Sequence, residues 1–131
     1  IGVKCALPNR PVICFSGDGG FMYHIAELET AVRYNIPVVS VVNNNHGLLQ
    51  DKRGDDRAYQ AVPGSHSSDL WEFNDVDMSK VAEAMGAFGI RVDQPQDIQN
   101  AIEEALASGR PAVVDVVTDP LDSEAPIPWS P

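Results

Sequence analysis

The chain has 131 residues, with nine Lys and Arg against nineteen Asp and Glu, a formal net charge of −10 at pH 7. That length suits one domain, and 44% hydrophobic residues argue against a disordered chain. The acidic balance argues against broad nucleic-acid binding, which needs clustered Lys and Arg, and no window nears the roughly 18 apolar residues of a membrane-spanning helix.

The chain starts at Ile1 without a Met and opens on a stretch that reads as structured, which suggests a fragment or a processed chain. Its first residues carry no long apolar core of the signal-peptide kind. Cys5 and Cys14 have eight residues between them, too few and too isolated for a disulfide framework or a metal site. Buried, reduced thiols in a cytoplasmic protein are the expectation.

Residues 11–16 form an unbroken apolar run that Pro11 can begin, as suits a buried parallel strand. Gly17-Asp18-Gly19-Gly20 breaks it. A helix follows with Ile25, Leu28, Ala31 and Val32 on one face, stopped by Asn35 and Pro37. Residues 37–42 read as a second strand ended by Asn43-Asn44-Asn45. The stretch 51–76 is polar and reads as a long irregular loop, a kind usually functional or mobile. Asp77 caps a helix carrying Met78, Val81, Ala82 and Met85, which Gly86 closes. A third strand is predicted over 88–92. Pro95 starts a helix with Ile98, Ala101, Ile102, Ala105 and Leu106 on one face, ended by Gly109. Residues 111–117 make a fourth strand. The tail, 120–131, has four prolines and is predicted to lie extended, which leaves 1–119 as the domain. Alternating strands and helices imply an α/β fold, a three-layer α/β/α arrangement with a mainly parallel sheet covered on both faces.

Such sheets bind ligands beyond the carboxyl ends of their strands, where two unusual loops fall. In Ser16-Gly17-Asp18-Gly19-Gly20 the glycines allow a sharp turn, and the following helix start offers N–H groups to phosphate. Asp18 would repel phosphate unless a divalent cation stood between them. A dinucleotide fingerprint fails because Met22 stands where Gly is needed, and a P-loop lacks its Gly-Lys-Ser/Thr. In Asn43-Asn44-Asn45-His46-Gly47, amide carbonyls are neutral oxygen ligands for a hard cation, with a backbone carbonyl just beyond. Taken singly, each loop is also an ordinary Asx-type turn.

Together, Gly17-Asp18-Gly19, twenty-four intervening residues and Asn44-Asn45 closely resemble the signature of the diphosphate-binding domain of thiamine-diphosphate-dependent enzymes. Glu27-Leu28 with Thr30-Ala31, the lead-in with Gly2, Ala6, Pro8 and Arg10-Pro11-Val12, and Gly109-Arg110-Pro111-Ala112-Val113 extend the resemblance, which is greatest to the acetolactate synthase group. It implies Mg2+ held by the Asp18 carboxylate, the Asn45 side-chain oxygen and the Gly47 carbonyl. Asn44 as the ligand shortens the spacing and fits the family less well. It implies that Gly17, Gly19 and Gly20 form the diphosphate turn, with the N–H groups of Gly19 and Gly20 contacting it.

The cofactor of the resembled family supplies a thiazolium carbon that attacks a 2-oxo acid and holds the electron pair left when carbon dioxide departs. The glutamate activating its aminopyrimidine belongs to a pyrimidine-binding partner domain outside this chain, and the apolar residue under the bent cofactor lies before Ile1. The resemblance therefore implies half of a cofactor site in a homo-oligomeric, cytoplasmic enzyme, with negligible activity for these residues alone. The readings it leaves are an acetolactate-synthase-like carboligase, another thiamine-diphosphate decarboxylase or lyase, and a non-catalytic domain that keeps the fold. Tyr23, His24 and His46 are secondary candidates near the site, and 51–76 for closing it. His66 reads as surface, Phe21 and Trp71 as packing, and Arg53-Gly54-Asp55 as a coincidental adhesion tripeptide.

Overall fold

The computed structural model describes residues 1–59 and 66–120. Helix α1 (Gly2–Ala6) leads to strand β1 (Ile13–Gly17), helices α2 (Asp18–Tyr23) and α3 (Ala26–Arg33), and strand β2 (Val39–Asn44). Helix α4 (Leu49–Ala58), a 3-10 turn (Ser67–Leu70), helix α5 (Met78–Ala84) and strand β3 (Phe88–Val92) follow. A 3-10 turn (Pro95–Asp97), helix α6 (Ile98–Ala107) and strand β4 (Ala112–Val117) complete the described part. The tail, expected over 120–131, lies outside the described residues from 121 onward.

The four strands pair in parallel in the order β1-β2-β4-β3. The chain steps outward from β1 to β2 to β3, then turns back to place β4 between them. Crossovers are right-handed, so that reversal puts α6 on the face opposite α3 and α5. The alternation of side chains along each strand builds two cores. Val39, Val41, Ala112, Val114, Val116 and Val92 pack against Ala101 and Ala105 of α6. Val42 and Val113 pack against Leu28 of α3 and Met78 and Ala82 of α5. Each fully buried valine contributes about 1.5–3 kcal/mol. The central strands hold the sheet, and their carboxyl ends carry the site.

The α/β/α architecture and parallel sheet agree with the sequence reading, with several boundaries moved. β1 and β2 begin two residues after Pro11 and Pro37, because proline has no N–H for a ladder; the ladder opens with Val39 N–H donating to the Val12 carbonyl at 3.1 Å. β2 consequently runs through Asn43 and Asn44, and only Asn45 lies beyond it. The single helix expected around Ile25 is two, α2 and α3, joined by a turn at His24 and Ile25. Pro95 opens the 3-10 turn rather than α6 itself. The described part of 51–76 holds most of α4 and a 3-10 turn where an irregular loop was expected, with 60–65 outside the described residues. The Leu-Gln-Asp-Lys-Arg-Gly-Asp-Asp-Arg-Ala sequence of α4 lacks an apolar stripe, so no 3.6-residue periodicity betrays the helix. Arg53-Gly54-Asp55 lies within that helix.

Two expectations about burial are corrected. Cys5 and Cys14 are both exposed free thiols, because α1 lies on the surface and β1 at the sheet edge. The sheet is covered on both faces only at its centre: on β1, Phe15 is 73% and Ile13 48% exposed. The reading of α5 holds in detail. The Asp77 carboxylate accepts the Lys80 N–H at 3.0 Å at its start. At its end Gly86 takes a positive φ of 88°, with Ala87 N–H returning to the Ala82 carbonyl at 2.9 Å.

Candidate functional site

The two glycine- and asparagine-bearing loops emerge side by side, because β1 and β2 are neighbours with Gly17 opposite Asn43. Asp18 is the first residue of α2 and only 2% exposed. Its Oδ1 accepts the N–H of Gly19 at 2.8 Å, and its Oδ2 accepts the N–H of Gly47 at 2.9 Å. One carboxylate thus joins the loop after β1 to the loop after β2. An ionised carboxylate offers about four acceptor positions, and the ion pairs among the described residues bring Asp18 no Lys, Arg or His. Two backbone donors leave acceptor positions of this carboxylate open to a further partner.

The three consecutive asparagines have three different surroundings. Asn43 faces the α6 side, where its Oδ1 accepts the Thr118 hydroxyl at 2.8 Å. Asn44, 1% exposed, is fully engaged in the core. Its Nδ2 donates to the Val76 carbonyl at 3.0 Å and to Asp115 Oδ1 at 2.9 Å, and its Oδ1 accepts the His46 N–H at 3.4 Å. Asn45 carries a buried Oδ1 with no hydrogen-bond partner. Such an acceptor costs about 1–3 kcal/mol.

The loop from Asn45 to Leu48 is clamped against the chain at Trp71 to Phe73. Phe73 N–H donates to the His46 carbonyl and Leu48 N–H to the Trp71 carbonyl, each at 2.7 Å, with Gly47 opposite Glu72 in an antiparallel bridge. Only glycine fits at position 47, since a Cβ there would stand 2.5 Å from the Trp71 carbonyl oxygen. A Cβ on Gly19 would meet the end of the Leu48 side chain at 2.5 Å, so the first glycine after Asp18 also packs directly on this loop. Gly20 has open space beside it and lies in the first turn of α2, where N–H groups have no intrahelical acceptor.

The structure places Gly17, Asp18, Gly19, Gly20, Asn45 and Gly47 on these two adjoining loops. Among the described residues there is no cluster of three His, Cys, Asp or Glu side chains able to hold a metal. The donors gathered here are instead a carboxylate, an unsatisfied amide oxygen and backbone carbonyls. An all-oxygen set fits a hard divalent cation such as Mg2+.

The secondary candidates separate. His46 has a positive φ of 59°, and its Nδ1 lies 3.7 Å from the Asp75 carboxylate. Tyr23 is exposed, whereas His24 lines a cavity of about 340 Å3 with Cys14, Ser16, Gly20, Phe21 and Glu27. His66 is exposed and faces Asp69 at 3.3 Å. Phe21 packs on the α3–α5 core, and the Trp71 ring lies 5.3 Å from the Lys52 ammonium. A larger cavity of about 440 Å3 opens across the sheet between Asn43, Ile98 and Thr118, away from Asp18.

Sequence reasoning missed a polar row beneath the loop. Asp115, with no solvent exposure, stands in β4 among valines. Burial pushes its carboxyl up, against the opposing pull of the Asn44 amide, the Met78 N–H and the Arg91 charge. Arg91, its neighbour on β3, reaches Asp115 Oδ2 at 3.5 Å and Asp75 at 2.6 Å. The one signal in the sequence was an acidic residue at the centre of Ala-Val-Val-Asp-Val-Val.

Comparison with known proteins accords with this geometry. The family described as thiamine pyrophosphate enzyme, C-terminal TPP binding domain, matches residues 1–116 (thiamine pyrophosphate, TPP, is thiamine diphosphate). The chain is 37% identical over 124 residues to a 2-hydroxyacyl-CoA lyase of Arabidopsis thaliana, covering 92% of this chain and 21% of the relative. It is 33% identical over 123 residues to an acetolactate synthase of Bacillus subtilis strain 168, covering 94% and 20%. A solved structure, the Rhodococcus jostii RHA1 thiamine diphosphate-dependent 4-hydroxybenzoylformate decarboxylase, superposes with a TM-score of 0.75 at 30% identity, covering 91% of this chain and 22% of that one. The chain spans about a fifth of the length of the curated relatives it matches.

Proposed function

The chain belongs to the thiamine pyrophosphate enzymes as their C-terminal TPP-binding domain, and from that premise we propose that it holds the diphosphate of the cofactor through Mg2+. The Asp18 carboxylate, Asn45 Oδ1 and the Gly47 carbonyl are the protein ligands in this reading. Phosphate oxygens and water complete the six-oxygen shell that magnesium prefers. Gly17, Gly19 and Gly20 let the backbone approach the diphosphate, with the Gly20 N–H offered to it in this reading, whereas the expected Gly19 N–H is already taken by Asp18 Oδ1. The single observation carrying the proposal is the bond from Gly47 N–H to Asp18 Oδ2 at 2.9 Å, beside a buried Asn45 Oδ1 that nothing else satisfies. A domain that merely kept the fold would not need Asp18 and Asn45 together, so their joint presence disfavours that reading.

The bound cofactor supplies an electron sink for breaking and making carbon–carbon bonds next to a carbonyl. This chain's residues anchor and orient it. The whole enzyme we read as a 2-oxo acid decarboxylating carboligase of the acetolactate synthase kind, cytoplasmic and homo-oligomeric, completed by a pyrimidine-binding domain. Two free cysteines suit the cytoplasm. A second reading is a thiamine-diphosphate lyase acting on a related substrate, since a 2-hydroxyacyl-CoA lyase and an acetolactate synthase large subunit are each 37% identical to this chain.

Calorimetric titration of the full-length protein with thiamine diphosphate, with and without Mg2+, tests the site. Magnesium-dependent binding that disappears in Asp18→Ala is the expected result. Equal affinity without the metal, or in the variant, overturns the proposal. Product analysis with pyruvate then separates carboligase from lyase.

A further inference from the structure

Beneath the loop, side chains from three strands form one connected row, and its geometry exceeds what packing requires. Arg91 and Asp115 are direct partners across β3 and β4, so their side chains share the α5-facing side. Asn44 lies on that same side, two residues beyond Val42, which is the partner of Asp115 on β2. From Asp115 two arms run to one residue. The first passes through Asn44, whose Nδ2 donates to Asp115 Oδ1 at 2.9 Å and whose Oδ1 accepts the His46 N–H at 3.4 Å. The second passes through Arg91, 3.5 Å from Asp115 Oδ2 and 2.6 Å from Asp75, whose carboxylate stands 3.7 Å from the His46 imidazole. His46 holds a left-handed backbone conformation between Asn45 and Gly47.

That conformation is uncommon for a residue with a β-carbon, although histidine adopts it more readily than most. The bond from the His46 N–H to Asn44 Oδ1 holds the direction in which Asn45 Oδ1 and the Gly47 peptide point, with the Asp75 carboxylate 3.7 Å from a ring Nδ1 that makes no hydrogen bond. Asp115 Oδ2 also accepts the Met78 N–H at 2.9 Å, which ties the start of α5 to the same anchor. We propose that Asp115 is a positioning residue that, through Asn44 and through Arg91 and Asp75, holds the 45–47 loop in the orientation needed to ligate a divalent cation. The inference rests on the metal–diphosphate reading of Asp18 and Asn45. It adds a residue that touches neither metal nor cofactor.

The test uses the full-length enzyme freed of metal and cofactor, with Mn2+ as a paramagnetic stand-in for Mg2+. Free Mn2+ is followed by electron paramagnetic resonance during titration, with and without thiamine diphosphate, and the thermal unfolding of each apo-protein is recorded. Asp115→Asn keeps the size but sets an NH2 group against one of the two donors, Asn44 Nδ2 or the Met78 N–H. Loss of a supporting partner of a metal site weakens metal affinity about 10–100-fold. Asp115→Asn is expected at the lower end, about tenfold, and Arg91→Gln at about threefold, with turnover recovering toward wild type at saturating Mn2+. A folded Asp115→Asn enzyme whose cofactor-dependent Mn2+ affinity stays within about twofold of wild type overturns the proposal, whatever its melting temperature does. Should that variant fail to fold, unchanged affinity in Arg91→Gln overturns it instead. Wild-type enzyme without cofactor-dependent Mn2+ binding overturns the parent reading, and the inference with it.

Discussion

Adjacent asparagines with opposite roles offer a sharp test. Asn44→Leu and Asn45→Leu are nearly the same change in size, one residue apart. Asn44 gives up a bond to a carboxylate at 2.9 Å and two bonds to backbone groups. A bond to a charged group contributes about 1.5–3 kcal/mol and a neutral one about 1. Asn44→Leu should therefore cost the apo-protein about 3.5–5 kcal/mol. Asn45→Leu removes an acceptor that is buried and unsatisfied, so the apo-protein should be unchanged or stabilised by up to about 1 kcal/mol. Native-state hydrogen exchange of β4 amides in the full-length apo-protein reads this difference locally. A loss of about 4 kcal/mol speeds exchange roughly a thousandfold. Stabilisation by thiamine diphosphate with Mg2+, which grows with ligand occupancy, should vanish in Asn45→Leu despite its sound apo-fold. If Asn45→Leu destabilises the apo-protein as much as Asn44→Leu does, the division between a structural and a ligating asparagine is wrong.

Three further outcomes are expected. Gly47→Ala places a Cβ 2.5 Å from the Trp71 carbonyl; the loop must separate from its clamp at about 1–3 kcal/mol, and Mn2+ titration should show affinity down more than tenfold. Gly54→Ala lies within α4 with open space around it, so it should stabilise that helix by about 0.5–1 kcal/mol, seen as slower exchange of α4 amides with metal affinity unchanged. Burial raises the Asp77 carboxyl, but the Ser79 hydroxyl and Lys80 outweigh it and hold it at about 2, below the ordinary 3.8. A depressed carboxyl contributes stability present above its unfolded value and lost as pH falls toward its folded one. The advantage of wild type over Asp77→Asn, about 1 kcal/mol after allowing for solvent, should thus fade between pH 4 and about 2 in the exchange of α5 amides; a difference constant with pH contradicts it.

The layers of the fold were legible because the valine-rich strands and the stripes of α5 and α6 carry clear periodicity. The loops were legible because the two occur together at the ends of buried strands, although either alone reads as an ordinary turn. α4 was hidden because it is polar all round and takes its place from the chain beside it, such as Trp71. The choice of Asn45 over Asn44 rested on spacing alone. The structure adds a separate reason in the bonds that engage Asn44. Asp115, Arg91 and Asp75 lie far apart in sequence, and only strand pairing makes them neighbours, so no local pattern announces them. The exposed Cys14 thiol escaped notice because an edge strand and a central strand look alike when both are short apolar runs.

The bare flank of β1 has a practical consequence. Its outer row of peptide groups faces no other strand among the described residues, and Ile13 and Phe15 stand open on one side. An apolar edge of this kind templates pairing with any extended chain that meets it. Cut out and expressed by itself, this stretch would be prone to stacking edge to edge into insoluble material at the concentrations calorimetry and crystallisation demand. A soluble miniature of the cofactor-binding half would begin with charge at Phe15, on the rim opposite β3 and away from the polar row that aligns the loop.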